Sequence, residues 1–403
     1  MANDFLDHVR APTAAFFLGE HSVLTDTEYV AESNRFREIV EITPTPAGAA
    51  TLGATTTIYI NRHWDVIGQI WLRMQFGALK AAPGAGAYSD GVAYAVIDRL
   101  EVFHGSNELA TYSGDYFQSR HELYTPWNKR EDASTAQLVS LADRRTAAEA
   151  VQDLFLRLPL FWTENESQHL PLFHLNNDIR IVIRWRTAAE ITAEAGTAAA
   201  TMTPTLMCEM FHIDEPESAK QGELMHAKNA RWGDTIGWVR PVDRPILFEN
   251  QPIAAAATTT TFTLTGMIYP VRDFWFTYRT GANWNTARTW YLFSDITSWR
   301  ATAAQRTLID TRTFAFQLFQ YNRTHTAASS KEEIAPIYYH SFSDRSMNSR
   351  DDYGFFHFET INNTQIIVTG HPAGAANDRV DFYFHTRSLL LISPVGGMSM
   401  VMK

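Results

Sequence analysis

The sequence is almost free of cysteine, with a single one, Cys208, among 403 residues. One cysteine cannot form a disulfide within the chain, so the fold must depend on packing, as is common in a reducing compartment. Cys208 lies in the apolar segment TLMCEMF, and this setting favours a small buried side chain over a reactive thiol.

Long apolar runs are also missing. No segment approaches the roughly 18 consecutive apolar residues of a membrane span. The first residues, MANDFLDHVR, carry acids where a secretory signal has a basic region. These features predict a soluble chain that is made in the cytosol.

Charge is sparse and on balance negative. Asp, Glu, Lys and Arg make up 19% of the chain, and the net charge is −10. Lys and Arg are scattered, whereas a nucleic-acid surface needs a basic stripe that replaces counterions, so we expect no direct nucleic-acid binding. A hydrophobic content of 45% is typical of a folded chain with a large core.

Sequence motifs of catalysis are absent too. The phosphate-loop, dinucleotide-binding and nucleophile-elbow patterns do not occur. His121-Glu122 lacks the second histidine of a metalloprotease, and the spacing of His169 and His174 favours polar loop positions over zinc ligands. We therefore predict a non-enzymatic protein with no catalytic, cofactor-binding or metal-binding residues and no cofactor.

Two further sets of polar residues have simple interpretations. Glu332-Glu333 and Asp351-Asp352 are adjacent carboxylates, which suit solvated loops better than a catalytic pair that must face across a site. Asn165, Asn322 and Asn362 lie in glycosylation sequons, and without a secretory signal we expect them to stay unmodified.

The pattern that dominates the chain is alternation of apolar and polar residues. It occurs in IWLRMQF (70–76), DIRIVIRWR (178–186) and RVDFYFHT (379–386), and it predicts half-buried strands with one face toward a core. Gly-, Pro- and Thr-rich breaks separate such segments. Helical patterns are few, at 134–155 and around YSGDYFQSRHEL. A mainly β protein built of sandwiches or barrels follows.

The chain also contains an internal similarity. TTTIYINRHWDVIGQIWLRM begins at Thr55, and TTTFTLTGMIYPVRDFWFTY begins 204 residues later at Thr259. The apolar faces of the two segments agree without a gap, and Trp71 falls on Trp275. A slip of one residue would invert every side chain, so the agreement favours two similar β domains in tandem.

A second pair of segments is less regular. LNNDIRIVIRW begins at 175 and INNTQIIVTG at 361, an offset of 186 residues. In this alignment Ile179 falls on Gln365, so either the second strand is buried on both faces or the alignment has slipped. We predict that the Asn-Asn doublets open equivalent strands of the two domains.

The boundary between the two domains is expected in a polar stretch without periodicity, HIDEPESAKQGELMHAKNARWGD (212–234). The predicted division is an N-terminal segment, a first β domain, a linker and a second β domain, at 1–19, 20–213, 214–234 and 235–403.

An ordered set of six segments resembles the double jelly-roll major capsid proteins of nucleocytoplasmic large DNA viruses. The match spans about 19–403, and no single segment is specific by itself. The six are NRHWDVIGQIWLRMQF (61–76), LFLRLPLFWTENESQHLPLFHLNNDIRIVIRW (154–185), YPVRDFWFTYRTG (269–281), IYYHSFSDR (337–345), FETINNTQIIV (358–368) and LLLISPVGGMSMVMK (389–403).

The resemblance implies two antiparallel jelly rolls per chain, with a few short loop helices. It further implies a structural subunit that forms pseudo-hexagonal homotrimers in the icosahedral shell of a double-stranded DNA virus, assembled in the host cytoplasm. Implied partners are neighbouring capsomers and minor capsid and penton proteins. Residues 1–19, with Phe16 and Phe17, either form a foot on minor proteins or an inner membrane, or fold under their own domain.

One alternative function remains open from the sequence. A tandem jelly-roll protein that binds or processes glycans would show a polar cleft between the rolls. Trp284, Trp290 and Trp299 suit either a receptor, glycan or trimer contact, or the packing of a long loop onto the sandwich.

Overall fold

The structure is a computed structural model of the chain. It describes residues 35–45, 48, 50–79, 86–125, 141–163, 169–194, 200–213, 238–253, 257–264, 267, 269–287, 290–303, 306–322, 336–342, 355–358, 364–371, 377–393 and 396–401. The predicted segments 1–19 and 214–234 lie outside these ranges, as do Asn165, Glu332-Glu333, Asp351-Asp352 and Asn362-Asn363.

The first half of the chain contains eleven described strands. They are β1 (Arg35–Ile42), β2 (Thr55–Ile60), β3 (Val66–Phe76), β4 (Ala87–Tyr88), β5 (Ile97–His104), β6 (Asn107–Tyr112), β7 (Gln152–Arg157), β8 (Leu170–Pro171), β9 (Ile179–Trp185), β10 (Thr192–Glu194) and β11 (Met202–Ile213). The helices between them are short: α1 (Val92–Ala95), α2 (Gly114–Tyr124), α3 (Leu141–Ala147), a 3-10 turn (Leu172–His174) and α4 (Ala188–Ile191).

The second half contains ten described strands. They are β12 (Trp238–Pro252), β13 (Thr259–Leu264), β14 (Pro270–Arg279), β15 (Ser298–Ala303), β16 (Arg306–Thr313), β17 (Ile337–Ser341), β18 (Phe356–His357), β19 (Thr364–Thr369), β20 (Arg379–Ile392) and β21 (Met398–Val401). A π-helical turn spans Ala282–Ala287, and α5 (Phe314–Phe316) continues into a second π-helical turn, Gln317–Asn322.

The two halves have the same topology. In the first sandwich, β1-β11-β3-β7 form one sheet and β2-β9-β5-β6 the other. In the second sandwich, the corresponding sheets are β12-β20-β14-β17 and β13-β19-β15-β16. The pairing is antiparallel, and the equivalent strands follow one another in the same chain order. This confirms the predicted fold of two tandem jelly rolls.

Strand register resolves the less regular sequence repeat. Ile58 of β2 pairs with Ile181, and its equivalent Phe262 of β13 pairs with Ile366. The equivalent residues of β9 and β19 are therefore 185 apart, so the offset of 186 was wrong by one residue. Burial alternates in both strands, which excludes a β19 buried on both faces. The strands that follow the two doublets do occupy equivalent places.

Each sandwich has its own apolar core between its two sheets. The predicted faces of β3 and β9 are confirmed, since Ile70, Leu72, Met74 and Phe76 are fully buried, as are the inward residues of β9. In the second core Phe274 and Phe276 of β14 pack with Phe382 and Phe384 of β20. Burial of such side chains contributes roughly 1.5–3 kcal/mol each.

One predicted helix is shorter than expected. The sequence pattern placed a helix over 134–155, but α3 ends at Ala147 and β7 begins at Gln152. Within QDLFLR, Leu154 and Leu156 turn inward and the strand pairs with β3, so tertiary pairing overrides the helical propensity of this segment. The helix predicted around YSGDYFQSRHEL is confirmed as α2.

The segment RVDFYFHT departs from the expected half-buried strand. In β20 both Phe382 and its outward neighbours Asp381, Tyr383 and His385 are buried. All ten residues of β14 are buried as well. The cause is that the first sandwich covers the outer face of this sheet, which a single-strand pattern cannot reveal. Within the described part of the chain, each helix is too short or too polar to cross a bilayer.

Candidate functional site

The most elaborate polar arrangement in the molecule lies between the two sandwiches. There, helix α2 of the first sandwich packs on the outer face of β14 and β20 of the second. We call the contact region the inter-sandwich interface; it includes Asp115, Tyr116, Ser119 and Tyr124 of α2 and the outward side chains of β14 and β20.

The position of α2 is fixed at its first residues. Ser113 caps the helix by accepting a hydrogen bond from the backbone N–H of Tyr116 at 3.1 Å. A Cβ on Gly114 would lie 2.0 Å from the carbonyl oxygen of Tyr94, so only glycine allows the helix to begin this close to the neighbouring backbone. Cap and glycine together place the next side chains against the second sandwich.

Asp115 is the centre of a buried ionic cluster. Its carboxylate accepts hydrogen bonds from Arg186 of the first sandwich at 3.0 Å and from Arg279 and Arg379 of the second at 2.8 and 3.3 Å. Arg279 also binds Asp381 at 2.5 Å. Burial opposes ionisation, but the three guanidinium groups hold the pKa of Asp115 well below its usual value. The cluster therefore links the sandwiches through paired charges.

A second cluster lies further along the same face. Asp273 accepts a hydrogen bond from Arg272 at 2.9 Å and lies 2.8 Å from Nδ1 of His385. Burial alone would raise the pKa of Asp273, but these two neighbours lower it to about 2. Arg272 and Arg387 both bind Asp243, so carboxylates and cations are matched across β12, β14 and β20.

Aromatic packing fills the space between the clusters. Trp275 is fully buried, stacks on Tyr116 with ring centroids 5.6 Å apart, and donates its indole N–H to Ser119 Oγ at 2.9 Å. The Tyr116 hydroxyl lies 2.8 Å from Nε2 of His385. Such an arrangement excludes water and strengthens the buried polar contacts, as expected of a permanent interface.

The tryptophans of the second domain belong to the packing as well. Trp290 is buried, donates to the Glu190 carbonyl at 3.0 Å and lies against the guanidinium of Arg186, 4.0 Å from its ring centroid. Trp299 is buried in the second core, and Arg379 lies over Trp284. Packing of the loop onto the sandwiches is therefore confirmed for Trp290 and Trp299, and a role for these two as exposed receptor contacts is wrong.

The other residues singled out from the sequence lie apart from the interface or within the packing. Cys208 is buried in β11, and burial raises the pKa of its thiol to about 12, as an inert side chain requires. Asn322 is fully buried and donates its amide to the Ile337 carbonyl at 2.6 Å, so the folded chain offers no access for a glycan there. His169 is buried and stacks on Phe211. Among the described residues no group of three His, Cys, Asp or Glu could hold a metal ion.

The sequence patterns did not reveal the interface. On β20, Asp381 and His385 alternate with core residues, so the pattern of that strand predicts a solvent-facing side. The available signal was the unusual density of charge within strands, with Arg272, Asp273 and Arg279 on β14 and Asp381 and Arg387 on β20. Their partner Asp115 lies 164 residues before Arg279.

Glu249 gives the interface a testable pH dependence. Its carboxylate accepts a hydrogen bond from Ser113. Burial, aided by the charges of Asp115 and Asp381, raises its pKa from 4.5 to about 7. A carboxyl with a raised pKa stabilises the fold fully below pH 4.5 and loses that contribution as the pH rises toward 7.

We expect Glu249→Gln to remove this dependence while keeping the acceptor for Ser113. Urea denaturation from pH 4 to pH 9 measures the free energy of unfolding of both proteins. The wild type is expected to lose stability relative to the variant between pH 4.5 and 7, with a constant difference above that. Parallel profiles across this window would show that Glu249 does not titrate with folding.

Fold and interface together define a class: a tandem jelly-roll protein whose two rolls are joined by a buried contact of paired charges and aromatic side chains.

Comparison with known proteins finds one matching family and several solved structures of the same fold. Residues 28–221 match the family described as Major capsid protein N-terminus. No curated protein sequence matches the chain. Among solved structures, the PBCV-1 virus capsid protein is similar with a TM-score of 0.72 at 14% identity, over 91% of this chain and 97% of that one.

Two further solved structures share the fold. The Faustovirus major capsid protein has a TM-score of 0.66 at 10% identity, over 98% of this chain and 99% of its own. A protein of Sulfolobus Turreted Icosahedral Virus has a TM-score of 0.53 at 12% identity, over 88% and 90%. The chain therefore shares the double jelly-roll fold of these viral capsid proteins, and its residues 28–221 match the family of the major capsid protein N-terminus.

Proposed function

We propose that the chain forms homotrimeric, pseudo-hexagonal capsomers that tile the icosahedral shell of a double-stranded DNA virus. The observation that carries the proposal is the duplicated topology. Two equivalent sandwiches in one chain, repeated by a three-fold axis, give six similar units around a centre. Hexagonal tiles of this kind can cover the faces of a shell with one kind of subunit.

The domain division predicted from the sequence is part of this proposal. Strand β11 ends at Ile213 and β12 begins at Trp238, which is compatible with a linker at 214–234 between rolls at 20–213 and 235–403. We propose that residues 1–19 lie beneath the tile and contact minor capsid proteins or an inner membrane, and that penton proteins fill the vertices. Assembly in the host cytoplasm, a reducing compartment, is proposed from a fold that uses no disulfide within the chain, since Cys208 is the single cysteine.

A purely structural role fits the described interface better than a glycan-binding or enzymatic role does. The alternative function required a polar cleft between the rolls, but the described contact is filled by Trp275, Tyr116 and Trp290. The buried carboxylates Asp115 and Asp273 are held ionised by arginines rather than being poised for proton transfer.

The trimer is tested by solution mass. The chain has a mass of 45.6 kDa, and three copies give about 137 kDa. We expect light scattering on the purified chain to give the trimer mass at micromolar concentration and negative-stain images to show hexagonal outlines. A monomer that persists at high concentration would refute the proposed capsomer.

A further inference from the structure

The duplicated topology places two helices in equivalent positions. Helix α2 follows β6 and precedes β7 in the first sandwich, and α5 with its π-helical turn follows β16 and precedes β17 in the second. Because the strands on either side are equivalent, the two helices leave their sandwiches at the same place. Helix α2 covers the neighbouring sandwich, whereas α5 covers no second sandwich among the residues that the structure describes.

The helix starts agree residue by residue. Ser113 caps α2 by accepting a hydrogen bond from the N–H of Tyr116, and Thr313 caps α5 by accepting one from the N–H of Phe316 at 3.4 Å. Phe316 therefore corresponds to Tyr116, which packs on Trp275. Yet Phe316 is 49% exposed, and it forms one wall of a groove of about 540 Å³ along β16.

The receiving surfaces correspond as well. Trp275 on the outer face of β14 has Trp71 as its equivalent on the outer face of β3. Trp275 is fully buried under α2, but Trp71 remains partly exposed, and Ile39 on the same sheet face is 49% exposed. Both sandwiches thus carry a tryptophan in the same place, and in one chain only one of the two is covered.

We propose that Phe316 of one copy packs on Trp71 of a second copy, repeating between chains the contact of Tyr116 with Trp275 within the chain. The proposal rests on the trimer proposed above and names the surfaces that close it. Each chain then offers a helix to one neighbour and a sheet face to the other, a head-to-tail arrangement that closes after three copies.

The difference between the two aromatic residues supports this pairing. The hydroxyl of Tyr116 needs a polar partner and finds His385. On the first sandwich Glu209 takes the place of His385. Its carboxylate is already bound by the backbone N–H of Gln69 at 3.1 Å and by Arg37 at 2.6 Å. A phenylalanine, which has no hydroxyl to satisfy, is the suitable counterpart there.

Cross-linking of the full chain tests the contact. The double variant Glu41→Cys/Ala315→Cys keeps Trp71 and Phe316 and places the thiols beside them, since Glu41 lies across Met207 from Trp71 and Ala315 precedes Phe316. It is treated with a short bismaleimide, to which the buried Cys208 is inaccessible. We expect covalent dimers and trimers on denaturing gels. The matched control Tyr59→Cys/Ala315→Cys places the first thiol on the opposite sheet and is expected to stay monomeric on the gel.

A second variant distinguishes the two proposals. Phe316→Asp is expected to shift the mass from about 137 kDa to 45.6 kDa while the chain keeps its wild-type circular dichroism, because Phe316 is half-exposed within one chain. Tyr59→Asp is expected to remain trimeric. A trimer that neither cross-links through Glu41→Cys and Ala315→Cys nor dissociates in Phe316→Asp would overturn this contact but not the trimer. A monomeric wild type would overturn both.

Discussion

Asp115→Asn is expected to lower the free energy of unfolding by about 3–5 kcal/mol, because it removes one partner of a buried ionic cluster. The variant has nearly the same shape but no charge. Arg186, Arg279 and Arg379 would then be left with a deficit of negative charge in an environment that water does not reach. Such an uncompensated cation is among the costliest single changes in a protein interior.

The measurement is urea denaturation at a fixed chain concentration and pH 7. Asp153→Asn provides a matched control, because Asp153 pairs with Arg73 on the surface, where both side chains are about one-third exposed. That change is expected to cost at most about 1 kcal/mol. Equal losses in the two variants would mean that the cluster at Asp115 adds nothing to the docking of the sandwiches.

The free energy of unfolding at low pH provides a second test of Asp115→Asn. The pKa of Asp115 is depressed in the folded chain, so its contribution is present above the ordinary value of 3.8 and is lost as the pH falls below it. The difference in stability between the wild type and Asp115→Asn should therefore begin to shrink as the pH falls below 3.8 and vanish only below the lowered pKa of Asp115. A difference that persists undiminished in acid would point to a role for shape rather than charge.

Local patterns were sufficient for the architecture of each sandwich. Ile70, Leu72 and Met74 alternate with polar neighbours, and alternation follows directly from the geometry of a strand with one face on a core. The gapless similarity of 55–74 and 259–278 revealed the duplication, since inward residues recur at inward positions. The alignment of the two Asn-Asn segments was wrong by one residue, because short turns tolerate a change in length that strands do not.

The interface between the sandwiches could not be predicted in this way. Asp381, Tyr383 and His385 have the same alternation as a solvent-facing row, and only the position of α2 makes them buried. Asp115 and Arg379 are 264 residues apart, so no local pattern connects them. Burial of the second face depends on how two folded units pack, and that information lies in shape and charge complementarity rather than in periodicity.

Trp275 and Trp71 occupy equivalent places, but their replacement by alanine is expected to change stability by very different amounts. Trp275→Ala removes a fully buried indole, its stacking on Tyr116 and its hydrogen bond to Ser119, and should lower the free energy of unfolding by about 3–5 kcal/mol. Trp71→Ala removes a side chain that is partly exposed in one chain and should cost only about 1 kcal/mol of stability within that chain.

The dependence of the unfolding midpoint on protein concentration separates the role of Trp71 from that of Trp275. If Trp71 is covered by a second copy, the unfolding midpoint of the wild type rises with protein concentration, because assembly stabilises the folded chain by mass action. Trp71→Ala should abolish that rise, whereas Trp275→Ala should lower the midpoint at low concentrations, where assembly contributes least. If Trp71→Ala keeps the concentration dependence of the wild type, Trp71 and Trp275 occupy equivalent places in the fold, but Trp71 takes no part in assembly.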